Sequence, residues 1–162
     1  MSIKTVKINY VKGSIFETEL HGLDAIIIYI PCGLTAIRID SYNFIKQFGE
    51  PINQDGEFFL YQNKLKGKRH QGLDYVLIDR NKSNKIYNIT HMRLLVDYTL
   101  NKMSKLGVKN IGMNGIRIRG GNPELLLVKE VKSWLVNNEN NFKEIYFIDL
   151  RDGFNKNANE NL

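Results

Sequence analysis

Three unbroken apolar runs constrain this 162-residue chain more than any other feature: Leu23–Ile30, Val108–Met113 and Ile145–Leu150. A strand with one wet face alternates apolar and polar residues. A strand that does not alternate is buried on both faces, the condition of a parallel sheet covered on both sides. Between the last two runs, Leu127, Val128, Val131, Trp134 and Leu135 recur at helical spacing. Ahead of them, Met92, Leu95, Val96, Thr99, Leu100 and Met103 do the same from His91 onward. Strands alternating with helices imply βαβ units, hence an α/β fold with a parallel or mixed central sheet and helices on both faces. The length suits one domain, placed at 1–155, with a flexible Asn-rich tail at 156–162.

The remaining elements follow from local signals. Lys4–Val11 alternates Val6, Ile8 and Tyr10 against Lys7 and Asn9, a strand pattern. Gly13-Ser14-Ile15-Phe16 turns into a connection ending at Gly22. After Pro31-Cys32-Gly33 comes a short apolar stretch, Leu34–Ile39. Asp40 or Ser41 caps a short helix through Phe48, which Gly49-Glu50-Pro51 stops. Phe58–Tyr61 and Tyr75–Asp79 read as strands, and Lys85–Thr90 as another. Gly107 ends the helix that starts at His91, and the next helix starts near Pro123-Glu124, with an acid favouring its dipole. Asn137–Asn141 terminates that second helix.

Composition removes several classes of function. No apolar run approaches the length of a membrane span, and no secretory signal is readable at the N-terminus. The single Cys32 excludes an internal disulfide and a cysteine-based zinc cluster, so a reducing compartment such as the cytoplasm is expected. Cys32 itself reads as a small buried hydrophobe rather than an exposed nucleophile. His21, His70 and His91 lack metal-ligand spacing, so neither metal nor cofactor is expected. The formal net charge of +6 gathers in Lys64-Leu65-Lys66-Gly67-Lys68-Arg69-His70 and Arg80-Asn81-Lys82-Ser83-Asn84-Lys85. Both runs read as solvated loops, with nucleic-acid binding as the sharper alternative.

One segment carries chemistry. Val108–Met113 breaks into Asn114-Gly115-Ile116-Arg117-Ile118-Arg119-Gly120-Gly121-Asn122-Pro123, and a helix follows. A glycine-rich loop between a strand end and a helix start offers backbone N–H groups to an anion. Arg117 and Arg119 add positive charge where a phosphate would sit. The glycines read equally as turn residues, and the alternation of Arg117 and Arg119 with Ile116 and Ile118 reads also as an extra strand.

The order of these elements resembles the macro domain family, which binds ADP-ribose and related NAD-derived nucleotides. Val11-Lys12-Gly13-Ser14-Ile15 is similar to the family's first strand and Gly-Asp-Ile turn, and Leu23-Asp24-Ala25-Ile26-Ile27 to its Asp-Ala-Ile-Val strand. Phe48-Gly49-Glu50-Pro51 resembles the Ala-Ala-Gly-Pro ending of its first helix, and the block from His91 to Phe154 has its helix, strand, glycine loop, helix and final strand. The resemblance implies a three-layer sandwich and a crevice contacted by Gly13, Ser14, Ile15, Pro31, Gly33, Asn114, Gly115, Ile116, Arg117, Arg119, Gly120, Gly121, Asp149 and Phe154. Ser14 stands where the family's adenine-binding Asp would be, and reads otherwise as a turn residue. Phe154 would stack on a base or anchor the core. Asp149, Arg151 and Asp152 close the last strand at the cleft mouth, although Asp152-Gly153 reads first as a turn.

The departures from the family set the functional expectation. Ile28-Tyr29-Ile30-Pro31 replaces the Asn-Ala-Ala-Asn whose asparagines orient the distal ribose in hydrolytic members, and only Gly33 stands near the first phosphate loop. No acid pair, nucleophile or metal set forms a catalytic constellation. The expected function is therefore a binding module for an ADP-ribose-like or other NAD-derived nucleotide, with altered ligand choice. An ADP-ribosyl hydrolase and a degenerate fold kept as an assembly surface are the alternatives.

Overall fold

The computed structural model describes residues 5–18, 21–29, 42–64, 72–79, 89–114 and 123–149. Seven strands form one sheet: β1 (Lys7–Lys12), β2 (Ala25–Tyr29), β3 (Asn53–Asp55), β4 (Phe58–Gln62), β5 (Tyr75–Asp79), β6 (Asn110–Asn114) and β7 (Glu144–Asp149). Their order is β1-β7-β6-β2-β5-β4-β3. The first five in that order run parallel, and β4 and β3 turn back antiparallel at the far side. The three apolar runs thus lie in one sheet, as β2, β6 and β7. Every residue of β2 is buried.

Two helices, α1 (Ile89–Lys105) and α2 (Pro123–Asn137), lie on the same face of the sheet. The buried stripe of α1 consists of Met92, Leu95, Val96, Thr99, Leu100 and Met103, the six positions its spacing predicts. This stripe, with Leu127, Val128, Val131 and Trp134 of α2, packs on Ala25, Ile27, Tyr29, Ile111, Met113, Ile145 and Phe147. The opposite face, carrying Ile26, Ile28, Val76, Ile78 and Ile148, is covered by Phe44, Ile45 and Phe48 from a helical turn at 42–46 and its exit, and by Ile15 and Leu23. Handedness explains the division. The steps β5 to β6 and β6 to β7 move one way along the sheet, while β2 to β3 moves the other. Right-handed crossovers put opposite steps on opposite faces.

One reading of the sequence needs correction, and one element has no counterpart in it. Ile89 and Thr90, taken with Lys85–Thr90 as strand, open α1 instead. Two β-branched residues at a helix start cost little, and the packing of the whole α1 stripe outweighs their local preference. β3 has no sequence signal, because its Asn53, Gln54 and Asp55 are all exposed at the sheet edge. Its register comes from the turn at Gly56, whose φ of 59° is left-handed, and from pairing with β4. The stretch Leu34–Ile39 and the caps Asp40 and Ser41 lie outside the described residues.

Candidate functional site

Chain direction locates a crevice before any side chain is considered. On leaving β2 the chain travels toward β3, and on leaving β6 it travels toward β7, so the two connections part company above neighbouring strands. Open α/β sheets bind ligands at this kind of switch point, outside the carboxyl ends of the strands. The connections 13–24 after β1, 30–41 after β2, 80–88 after β5 and 115–122 after β6 depart from that edge, as does the chain after β7, and the β3–β4 turn reaches it as well.

The described strand ends form the floor. Backbone pairing of β2 with β6 runs from Ala25↔Ile111 to Ile27↔Met113 and goes no further. Beyond it the Asn114 side chain spans the gap. The Tyr29 N–H donates to Asn114 Oδ1 at 2.7 Å, and Asn114 Nδ2 donates to the Tyr29 carbonyl at 3.0 Å. On the other side, Asn114 pairs in register with Ile148, and Lys12 with Asp149, while the Gly13 N–H donates to the Asp149 carbonyl at 2.8 Å. Gly13, Asp149 and Asn114 are thereby brought to one edge, on three consecutive strands.

The turn after β1 folds back beneath this edge. Ser14 Oγ accepts from the Phe16 N–H at 3.2 Å, and the Ser14 carbonyl accepts from the Glu17 N–H at 3.2 Å, so the hydroxyl works within its own turn. The Ile15 side chain is buried against the sheet beside Gly112, which leaves only its backbone for the crevice. Pro31, Gly33, Gly115, Ile116, Arg117, Arg119, Gly120, Gly121 and Phe154 lie outside the described residues.

Two buried acids, Asp79 and Asp149, end β5 and β7. Three strand spacings separate them, roughly 14 Å. That is too far for two carboxylates to share one bond or one water. Burial, aided by the charge of Asp79, raises the Tyr29 phenol above its ordinary range and keeps it neutral. Among the described residues no three His, Cys, Asp or Glu side chains gather as a metal site, and no helix is long and apolar enough to cross a membrane.

A concavity of about 790 Å³ runs along α1 from His91 to Lys105, walled by the β3–β4 hairpin and reaching Asp79 at the end of β5. The sequence gives no hint of it, since β3 itself is unreadable there. Tyr98 stacks on Phe58 at 4.2 Å across this groove. Burial, with the Asp55 carboxylate accepting the phenol's hydrogen bond, pushes the Tyr98 pKa up to about 12. Its lining mixes scattered acids and lysines on the flank of one helix.

No protein-family model and no curated protein matches the chain. Solved structures do. The macrodomain of Thermus aquaticus DarG aligns with a TM-score of 0.52 at 14% identity, over 89% of this chain and 99% of that one. The macrodomain of Mycobacterium tuberculosis DarG gives 0.57 at 11%, over 88% and 98%. A Trypanosoma brucei macrodomain in complex with ADP-ribose gives 0.59 at 16%, over 93% of this chain and 66% of that chain. At such identities what is shared is the fold.

Proposed function

We propose that this chain, built on the macrodomain fold, is a binding module for ADP-ribose or a related NAD-derived nucleotide, with ligand choice altered from that of typical members. One observation carries the reading: the Gly- and Arg-rich segment 115–122 leaves the sheet at the switch crevice and enters α2 at its N-terminus. A helix N-terminus presents free N–H groups and a positive dipole to an anion, and Gly115, Gly120 and Gly121 permit close backbone approach. Arg117 or Arg119 would then meet the pyrophosphate with a charge-assisted, bidentate contact. Gly13, Ser14 and the Ile15 backbone on one side, with Phe154, would flank the base, and Pro31, Gly33, Asn114, Ile116 and Asp149 would line the rest. The Trypanosoma brucei macrodomain was solved in complex with ADP and with ADP-ribose, which makes these two the first probes.

The altered choice rests on Ile28, wholly buried in the core on the face of the sheet opposite the two helices, and on Pro31. Neither can hold a ribose hydroxyl or aim a water, so little or no release of ADP-ribose from a modified protein is expected. Calorimetric titration of a nucleotide panel tests the reading. Arg119→Ala should weaken binding about 10- to 100-fold, the worth of one hydrogen bond to a charged group. Gly121→Leu should obstruct the cradle. Lys66→Ala and Lys68→Ala are the controls. Their loop joins β4 to β5 at the amino edge of β5, the opposite side of the sheet. Loop variants that bind every nucleotide as well as the parent would move the site elsewhere.

A further inference from the structure

We propose that Asn114 is the positioning residue of the crevice: its amide replaces a pair of ladder hydrogen bonds between β2 and β6 and sets the gap from which segments 30–41 and 115–122 depart. For its functional half the proposal rests on the nucleotide-binding reading above.

Backbone pairing stops at Ile27↔Met113, although β2 continues to Tyr29 and β6 to Asn114. Direct pairing would hold the two strands about 4.8 Å apart. An interposed side chain satisfies the same Tyr29 N–H and carbonyl beyond the last backbone pair, and leaves the strands free to part. Its orientation is assigned by its partners, since an N–H needs the amide oxygen and a carbonyl needs the NH₂. Tyr29 is fully buried, so neither group has water as a substitute partner. The chemistry needed is one donor and one acceptor on a planar group of this length. Asparagine meets it, an ionised aspartate has no donor, and leucine has neither. Along this edge the β1–β7 bond from the Gly13 N–H to the Asp149 carbonyl is backbone to backbone, whereas both bonds between β2 and β6 are made by the Asn114 side chain, where the connections diverge.

Asn114→Asp keeps the shape but sets a charged oxygen against the Tyr29 carbonyl at neutral pH. Protonation of that carboxyl restores a donor and an acceptor. ADP-ribose is the probe, measured by calorimetry at pH 7.5 and at steps down to about pH 4, where an ordinary carboxyl takes up its proton. The parent at each pH is the control for Asp79, Asp149 and the nucleotide itself. The expected result is binding about tenfold or more weaker at pH 7.5, recovering on acidification. Hydrogen exchange at the Tyr29 amide, read without nucleotide in Asn114→Leu, which has no oxygen to accept from the Tyr29 N–H, should lose protection. Equal affinity at pH 7.5, or a loss that acid does not repair, overturns the proposal. A loss of protection spread evenly over α1 and β7 also overturns it, because the amide would then be a general stabiliser. If the parent binds no ADP-ribose, the binding reading falls by itself. Tyr29 protection then decides the strand-spacing role, and unchanged protection in Asn114→Leu refutes it.

Discussion

Asp24 ties the central strands together at the end of the sheet opposite the crevice. Its carboxylate accepts from the N–H groups of Lys109 and Asn110 at 3.2 and 2.9 Å, its own N–H donates to the Asn110 carbonyl, and its carbonyl accepts from Asp74. The strands β6, β2 and β5 therefore start in register around one residue. Asp24→Ala should lower stability to urea by about 1.5–3 kcal/mol, the usual worth of hydrogen bonds to a charged group, with no change in the m-value. Gly112 is the other residue whose identity the packing dictates. A Cβ placed there would lie 2.7 Å from Leu23 Cδ1, with Ile148 and Ile15 at 3.4 and 3.5 Å. Gly112→Val should cost about 1–3 kcal/mol by overpacking, visible as a lowered thermal midpoint. The sequence places Asp24 at the head of a strand but not its partners 85 residues away, because hydrogen bonds across that separation leave no periodic trace.

At the scale of elements, the β3–β4 hairpin is held to α1 by the Tyr98–Phe58 stack, the Tyr98–Asp55 hydrogen bond and a 3.3 Å contact from Lys102 Nζ to Asn53 Oδ1. Because folding raises the Tyr98 pKa above its unfolded value, this contribution is whole below about pH 10. It is lost as pH climbs through about 12. Tyr98→Phe keeps the ring contact and removes the titration. Its loss of stability between pH 10 and pH 12 should be shallower than the parent's, as followed by circular dichroism. Equal slopes would place the alkaline transition elsewhere. Long, periodic elements were legible in the sequence: the α1 stripe, β2 with no polar face, and Gly107, whose φ of 77° ends α1. Short ones were not. β3 is polar because it is an edge, and the start of α1 looks like strand because two β-branched residues carry too little pattern to outvote the helix behind them. Of the candidate site, Gly13, Asn114 and Asp149 are legible as strand ends and lie at one edge of the sheet, but the strand order that brings them together is not legible.

In the molecule as a whole, strand order brings residues near one end of the sequence against residues near the other. β1 pairs along its full length with β7, and Tyr10 stacks on Phe147 at 5.8 Å with their planes 16° apart. Phe147 is fully buried between this strand and the helices. Phe147→Ala should cost about 3–5 kcal/mol. Hydrogen exchange should then show β1 and β7 losing protection together while the β4–β5 pair keeps its own; independent opening of β1 and β7 would contradict the coupling. The same pairing has a consequence for synthesis on the ribosome. β1 emerges ahead of the other described strands yet has no neighbour among them other than β7, which is made more than 130 residues later. At about 5–20 residues per second the nascent β1 waits on the order of ten seconds with both sides unpaired. A growing chain of this design is therefore exposed to mispairing at β1 throughout the synthesis of the elements between, until β7 arrives to pair with it.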